Sequence, residues 1–171
     1  MPHPSREKEA QFIRKLRWAD FTKVSKSRDG VHDAQTRADI RYTYKVLEKS
    51  DGSWEVSKVH VHLSLNHRET WVVRGKERAE LLSHEHQHYD ISAIAARTVR
   101  AKLRGLNGNG SQEPGMVIGE IVTNAVGTQA QEVQDRYDED AECGSDHGRK
   151  PKEQKLWNVR IHEALFDSPP L

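Results

Sequence analysis

The sequence predicts an α+β domain, with strands in its first half and helices in its second. Between residues 36 and 65 apolar and polar side chains alternate, which is typical of half-buried strands. From Lys76 to about Leu106 the chain is rich in Ala, Leu, Glu and Arg and has no Gly or Pro before Gly105, which predicts one long helix. A length of 171 residues suits one domain. We therefore expect residues 1–171 to form a single domain, with residues 1–12 as a flexible or short helical tail.

The alternating region predicts an antiparallel hairpin. Its two runs are separated by Ser50-Asp51-Gly52, which is a strong turn signal. We expect Thr70–Val73 to add a third strand to this small sheet. The residues that share the apolar faces are Ile40, Tyr42, Tyr44 and Val46 in the first run and Val59, Val61, Leu63 and Leu65 in the second.

Two further helices are predicted after the long one. The glycine-bearing stretch Gly105–Gly110 ends the first helix. The second helix is expected from about Pro114 or Met116 to Tyr137, and the third from about Glu153 to Phe166. A charged loop, residues 138–152, joins them. The predicted architecture is a small antiparallel sheet packed on the long helix, followed by two helices.

Composition excludes several classes of protein. The chain has 27 Lys and Arg against 26 Asp and Glu, a net charge of +1, which argues against a general nucleic-acid or membrane-surface binder. No run approaches the roughly 20 apolar residues that span a bilayer, and the first ten residues lack the apolar stretch of a signal peptide. The single cysteine, Cys143, excludes an intrachain disulfide and a multi-cysteine zinc module, and we interpret it as a spectator thiol.

One segment carries recognisable chemistry. In His84-Glu85-His86-Gln87-His88 the first and last histidines are four residues apart on the predicted long helix, so their imidazoles share a face and can reach one ion. A hydrolytic zinc site takes three protein ligands and keeps one position for water. Glu85 projects beside the pair and is placed to act as the general base that removes a proton from that water. We therefore predict one zinc ion per chain.

Several of the histidines also have an interpretation that needs no metal. A charged, solvated helix face would also contain His84 and His88 without any metal. His86 points away from that pair, which indicates a solvated side chain. His60 and His62 share one strand face, where a polar outer surface is favoured over a second metal site.

The motifs resemble a bacterial family of unknown function described as predicted secreted zinc-dependent proteases. The resemblance covers residues 16–166 and is strongest at Leu82–Ile91, which is similar to the family's H-E-q-x-H-F-D-I helix. It implies a zincin-like fold, a layout in which strands precede the motif-bearing helix, and a secreted protein, although this chain shows no signal. Two departures from the family pattern are a longer, more acidic segment between Tyr137-Asp138 and His147-Gly148 and the missing signal. The other stretches that carry the resemblance are Trp18–Phe21, Ala34–Tyr42, Thr70-Trp71, Tyr137-Asp138, Asp146–Gly148, and Gln154 with Trp157.

A third zinc ligand is expected downstream of the motif. His147 is the first choice, because it is the only histidine between His88 and His162 and matches the family's His-Gly position. Glu120, on the following predicted helix, is the second alternative and Asp138 the third.

Two further residues receive candidate roles. Tyr137 is a candidate for stabilising the oxyanion through its hydroxyl, against the alternative of simple packing. Asp90 does not share the ligand face, which favours orientation of a ligand or a structural hydrogen bond over metal binding.

The sequence thus predicts a zinc metallopeptidase that hydrolyses peptide bonds and whose partner is a protein or peptide substrate. Two alternatives stay open: a zinc amidase acting on cell-wall peptide, and a zinc-stabilised binding or assembly module without catalysis. Neither nucleic-acid binding nor membrane insertion is expected.

Overall fold

The computed structural model of the chain describes residues 10–139 and 146–166. Residues 1–9, which form most of the predicted tail, and Cys143 lie outside the described residues. Within them the α+β class is confirmed: strands and a hairpin come first, and helices follow. The strands are β1 (Thr22–Val24), β2 (Ala34–Gln35), β3 (Ala38–Glu48), β4 (Trp54–Leu65), β5 (Trp71–Val73) and β6 (Asn107–Gly108). The helices are α1 (Ala79–Leu103), α2 (Pro114–Val122), α3 (Gln131–Asp138) and α4 (Pro151–Phe166), with short 3₁₀ turns at Ala10–Phe12 and Trp18–Asp20.

The predicted hairpin is confirmed as β3 and β4, but its register changes in the middle. Thr43 pairs with His60 and Lys45 pairs with Ser57, so β4 holds one extra residue there. Lys58, within this bulge, has a φ of 49°. Because side chains alternate between faces, the extra residue brings odd and even positions of β4 to the same side. The residues buried on that side are Trp54, Val56, Val61, Leu63 and Leu65.

The expected third strand exists, but it belongs to another sheet. β5 lies between β1, to which it is parallel, and β2, to which it is antiparallel. The hairpin instead gains β6 beside β4. A three-residue strand has too few side chains to reveal its partner, because neighbouring strands depend on contacts distant in sequence. β2 is consequently an edge strand of the small mixed sheet, and it lies beside α1.

Helix α1 forms the centre of the molecule. It contacts the hairpin on one side and the later helices on the other, which explains why polar and apolar side chains alike are buried along it. It ends where Gly105 adopts a φ of 73°, a left-handed conformation that glycine takes without steric cost. Among the described residues, no helix is both long and apolar enough to cross a membrane.

The later helices position the far side of the site. Helix α2 continues without a break through a π-helical segment, Thr123–Ala130, into α3. This segment packs against α1 and buries Ala125 and Ala130. Helix α4 also packs on α1, where the guanidinium of Arg97 donates hydrogen bonds to the carbonyls of Ala164 and Leu165 at 2.6 and 2.8 Å. The last residue of α3, Asp138, is thereby brought next to the middle of α1.

Candidate metal centre

The motif residues of α1 are buried together. His84, Glu85 and His88 are 1%, 3% and 8% exposed. The two imidazoles meet edge to face with ring centroids 4.7 Å apart, and their Nε2 atoms are 3.0 Å apart. This is the result of placing two histidines four residues apart on a helix. Such burial excludes the interpretation that the motif is a solvated helix face.

Asp138 supplies a third donor atom. Its Oδ1 lies 3.1 Å from Nε2 of His84 and 2.9 Å from Nε2 of His88. Ligands about 2.0–2.2 Å from a tetrahedral zinc ion lie about 3.3–3.6 Å from one another. The observed triangle is only slightly narrower, a difference that small side-chain rotations cover. Two imidazole nitrogens and a carboxylate oxygen are also a donor set that suits zinc.

Side chains behind the donors hold them in place. Nδ1 of His88 lies 2.9 Å from the amide oxygen of Gln134, which requires the Nδ1 proton and turns Nε2 toward Asp138. The ring of Tyr137 stacks on the ring of His84 at a centroid distance of 4.6 Å. Its hydroxyl lies 3.5 Å from the backbone carbonyl of His84 and accepts a hydrogen bond from Gln154. Helix α3 therefore both contributes a donor and orients the other two.

The charges of the three donors are coupled. Burial works to raise the pKa of Asp138, but the imidazoles of His84 and His88 outweigh it and hold this pKa well below its usual range. Burial lowers the pKa of His84 to about 4. For His88, burial also opposes protonation, but Asp138 and then Glu85 raise its pKa to about 9. The carboxylate of Asp138 thus favours one positive charge among the three donors, on His88, while His84 stays neutral.

Glu85 stands beside the donors without being one of them. Burial raises the pKa of its carboxyl group, and the charge of His88 acts in the opposite direction. Its Oε2 atom is buried and has no hydrogen-bond partner among the residues that the structure describes. A buried carboxylate oxygen without a partner is costly. The hydroxyl of Thr36, also buried without a partner, lies near enough to lower the pKa of Glu85, so either this hydroxyl or a bound atom can satisfy the oxygen.

The donors and Glu85 open into one cleft with a volume of about 190 Å³. It is lined by residues of α1, of β2 and the residues after it, of the loop before β2 and of the end of α3, together with His147. The lining residues outside the motif are Asp29, His32, Ala34, Gln35, Thr36, Arg37, Gln131, Gln134, Asp138 and His147.

The predicted third ligand, His147, lies next to the donor triangle. Its Nδ1 is 3.6 Å from Oδ1 of Asp138, and its ring centroid is 5.5 Å from that of His84. The three donors that converge within 4.8 Å are His84, His88 and Asp138, the third of the alternatives. Glu120, the second alternative, is exposed on α2 and is not part of this group. Metal binding by His147 stays a prediction.

The remaining predicted residues lie behind or outside the cleft. Tyr137 is fully buried and is not among the lining residues, so its proposed contact with an oxyanion also stays a prediction. His86 points away from the cluster as expected, but its Nε2 contacts the carbonyl of Arg14 at 2.8 Å, so it is not simply solvated. Asp90 lies on that same outer side, 3.8 Å from His86. His60 and His62 are exposed on the hairpin, as predicted.

Two sets of residues that line the cleft could not be predicted from the sequence. Gln134 carries no motif, and only its position four residues before Asp138 on a helix hints that the two share a face. Asp29 and His32 lie in a loop that the sequence marks as polar, and their spacing is uninformative without the fold.

Comparisons with known proteins add no relative: no family model, curated protein or solved structure matches the chain. The resemblance to predicted secreted zinc-dependent proteases therefore stays a prediction, supported by its motifs alone.

Proposed function

We propose that the protein is a zinc-dependent metallopeptidase with a zincin-like fold. The observation that carries this proposal is the convergence of two imidazole nitrogens and one carboxylate oxygen within 4.8 Å, next to the buried carboxylate of Glu85. A purely structural zinc site is closed by four protein ligands and needs no base. Three donors that open into a cleft, with a carboxylate beside them, fit a site that leaves room for water and substrate.

His84, His88 and Asp138 would hold the metal ion. A bound zinc ion would supply the positive charge that acidifies a water molecule and polarises a substrate carbonyl. Manganese, cobalt or nickel can occupy the same type of donor set in vitro. The interaction of His88 with Gln134 keeps Nε2 available for this purpose.

Glu85 would move the proton. Its raised pKa, caused by burial, makes the carboxylate a better proton acceptor than an exposed glutamate. It would take a proton from the attacking water as the oxygen–carbon bond forms, and would pass that proton to the amine nitrogen as the carbon–nitrogen bond breaks.

The edge of the mixed sheet favours a peptide as substrate. In the part of the chain that the structure describes, β2 pairs with β5 on one side only, and its residues Ala34 and Gln35 line the cleft. In antiparallel pairing alternate residues direct their N–H and C=O groups to opposite sides of the strand. The carbonyl of Asp33 accepts a hydrogen bond from Val73 N–H at 2.8 Å, so Asp33 and Gln35 direct their backbone groups to β5. Among the described residues, the backbone groups of Ala34 and Thr36 then face the open edge, where an extended peptide could bond them.

Metal content tests the site. We expect about one zinc per chain by plasma mass spectrometry, lost in His88→Ala and in Asp138→Ala. His86→Ala is the matched control, because this histidine belongs to the same helix but lies outside the donor group, and it should keep its zinc. His147→Ala separates the two candidates for third ligand. Absence of zinc from the wild type after zinc is supplied would reject the metal site.

Activity tests the reaction. A mixture of internally quenched peptides should be cleaved by the zinc-loaded wild type and not by Glu85→Gln, which keeps the size of the side chain but removes the base. Glu80→Gln, an exposed glutamate on the same helix, is the control and should remain active. Cleavage of cell-wall peptide alone would indicate the amidase. Zinc binding with no Glu85-dependent hydrolysis would instead support a binding module.

A further inference from the structure

The segment after α1 contains two consecutive Asn-Gly pairs, Asn107-Gly108 and Asn109-Gly110. An asparagine followed by glycine can lose its side-chain amide, because the backbone nitrogen of the glycine attacks the side-chain carbonyl carbon and no Cβ hinders the approach. Both asparagines are exposed, so water reaches each of them. The two pairs differ in what surrounds the attacking nitrogen.

The first pair is held in the sheet of the hairpin. Gly108 lies opposite Trp54 in the pairing of β6 with β4. The N–H of Val56 donates to the carbonyl of Leu106 at 2.7 Å. Hydrogen-bonded pairs alternate along an antiparallel ladder, so the next such pair is Gly108 with Trp54, and the N–H of Gly108 is engaged. Attack by this nitrogen on the side chain of Asn107 therefore requires β6 to separate from β4.

The second pair has no such restraint. Gly110 lies beyond the end of β6, and among the described residues its N–H has no hydrogen-bond partner. A Cβ at this position would lie 2.7 Å from the carbonyl oxygen of Gly52, so packing against the turn between β3 and β4 requires glycine here. The fold thus keeps a glycine directly after Asn109 and leaves its nitrogen free to react.

The side chain of Asn109 is arranged for this attack. Its Oδ1 accepts hydrogen bonds from the hydroxyl of Ser111 at 2.5 Å and from the backbone N–H of Ser111 at 3.2 Å. The second of these closes a compact ring that contains both the side-chain carbonyl carbon and the nitrogen of Gly110. Both donors face the oxygen on which negative charge develops when a nucleophile adds to the carbon, as donors to an oxyanion do.

We propose that Asn109 is a site of spontaneous deamidation, assisted by Ser111. Hydroxide removes the N–H proton of Gly110, the nitrogen forms a bond to Cγ of Asn109, and the π electrons of the C=O bond move to Oδ1. As the carbonyl re-forms, the bond from Cγ to Nδ2 breaks, and the leaving nitrogen takes a proton from water and departs as ammonia. Water then opens the cyclic imide at either carbonyl and gives aspartate or isoaspartate. This inference does not depend on the proposed peptidase.

The modification would alter a contact of the core. The backbone carbonyl of Asn109 accepts a hydrogen bond from Nε1 of Trp54 at 3.1 Å, and Trp54 is 3% exposed. Isoaspartate turns this carbonyl into a free carboxylate and adds a methylene group to the main chain, and either product carries a new negative charge. We therefore expect the indole of Trp54 to be held less firmly once Asn109 has reacted.

Peptide mapping by mass spectrometry tests the assignment, because each deamidation replaces NH₂ by OH and fragment ions locate it. In the folded protein, kept at mildly alkaline pH, Asn109 should react about ten-fold faster than Asn107, a factor that corresponds to breaking one backbone hydrogen bond. In urea, where the sheet is lost, the two rates should be nearly equal, so Asn107 is an internal control. Ser111→Ala should slow the reaction of Asn109 several-fold in the folded protein, whereas Ser111→Thr, which keeps the hydroxyl, should not.

The outcomes separate the parts of the proposal. Faster reaction of Asn109 in the folded protein, lost in urea, supports the assignment. Equal rates at Asn109 and Asn107 in the folded protein, or no reaction at Asn109 while the chain in urea reacts, would overturn it. An unchanged rate in Ser111→Ala would overturn the role of Ser111. Tryptophan fluorescence should change as the product accumulates and stay constant in Asn109→Gln, whose longer side chain closes a ring less readily; constant fluorescence in the wild type would overturn the link to Trp54.

Discussion

Asp90 offers a quantitative test of how α1 is packed. This carboxyl group is 9% exposed on the side of α1 that faces away from the metal centre. Burial raises its pKa from 3.8 to about 6, and the neighbouring His86 and His162 offset part of the effect. The folded protein therefore binds this proton more tightly than the unfolded chain does. The resulting stability is complete below pH 3.8, where both states are protonated, and is lost as the pH rises through about 6.

The size of the effect follows from the shift. A difference of about 2 pKa units corresponds to about 3 kcal/mol of lost stability at neutral pH. Asp90→Asn removes the charge but keeps the shape and polarity of the side chain. For a chain of this length 1 kcal/mol corresponds to about 2–4 °C in Tm, so Asp90→Asn should raise Tm at pH 7 by up to about 6–12 °C. At pH 4 the two proteins should unfold at nearly the same temperature.

Thermal unfolding followed by circular dichroism from pH 4 to pH 8 measures this difference. EDTA should be present throughout, because protonation of His84 and His88 would otherwise release metal at low pH and add its own pH dependence. Glu80→Gln serves as the control, since it removes an exposed acid from the same helix and leaves the buried groups unchanged. A Tm for Asp90→Asn that is equal to or below that of the wild type at pH 7 would refute the reasoning. So would a difference of the same size at pH 4.

Three other perturbations have defined outcomes. Zinc at 100 times its Kd should raise the free energy of unfolding by about 2.7 kcal/mol, which corresponds to a Tm increase of about 5–11 °C. EDTA should reverse this increase, and His88→Ala should not show it. An equal increase in His88→Ala would place the metal elsewhere. Gly148→Ala should lower the free energy of unfolding, measured in urea, by about 1–3 kcal/mol, because the φ of 77° is left-handed and the new Cβ would press on the Glu80 carbonyl. An unchanged urea midpoint would show that this loop is loosely held. Gly108→Ala should lower the free energy of unfolding by about 1–3 kcal/mol, because the new Cβ would overlap the Trp54 ring. Tryptophan fluorescence should change as well. No change in either quantity would contradict the described contact between β4 and β6.

Local patterns predicted the local parts of the fold. The hairpin and α1 were predictable because alternation and helical composition act over neighbouring residues. The partners of β5 were not, since pairing with β1 and β2 depends on contacts about 35 to 50 residues away. The bulge at Lys58 was missed, although the sequence marks it: the apolar residues of β4 change from even positions, Trp54 and Val56, to odd ones after Lys58. A lysine with positive φ is uncommon, so residue type gave no warning of it.

The candidate site likewise has a part that local sequence predicts and a part that depends on the fold. His84, Glu85 and His88 were predictable because their geometry is that of a single helix turn. The choice between His147 and Asp138 was not, because it depends on where α3 ends relative to α1. Its place in the sequence and the family resemblance favoured His147, whereas the structure brings the carboxylate of Asp138 within 3.1 Å of both imidazoles.

The position of Asp138 at the candidate metal centre depends on the number of residues in the helix that leads to it, which includes the π-helical segment Thr123–Ala130. Backbone hydrogen bonds in a π-helix join residues five apart instead of four, so this segment determines the direction in which the side chains of α3 point. Deleting one residue from the first turn of α3, even an exposed one, would turn Asp138 by about 100° around the helix axis relative to α2. Insertions and deletions that a surface helix usually tolerates would therefore move the carboxylate of Asp138 away from two histidines about fifty residues upstream. The number of residues between α1 and the end of α3 is therefore as important for the site as the identity of those residues.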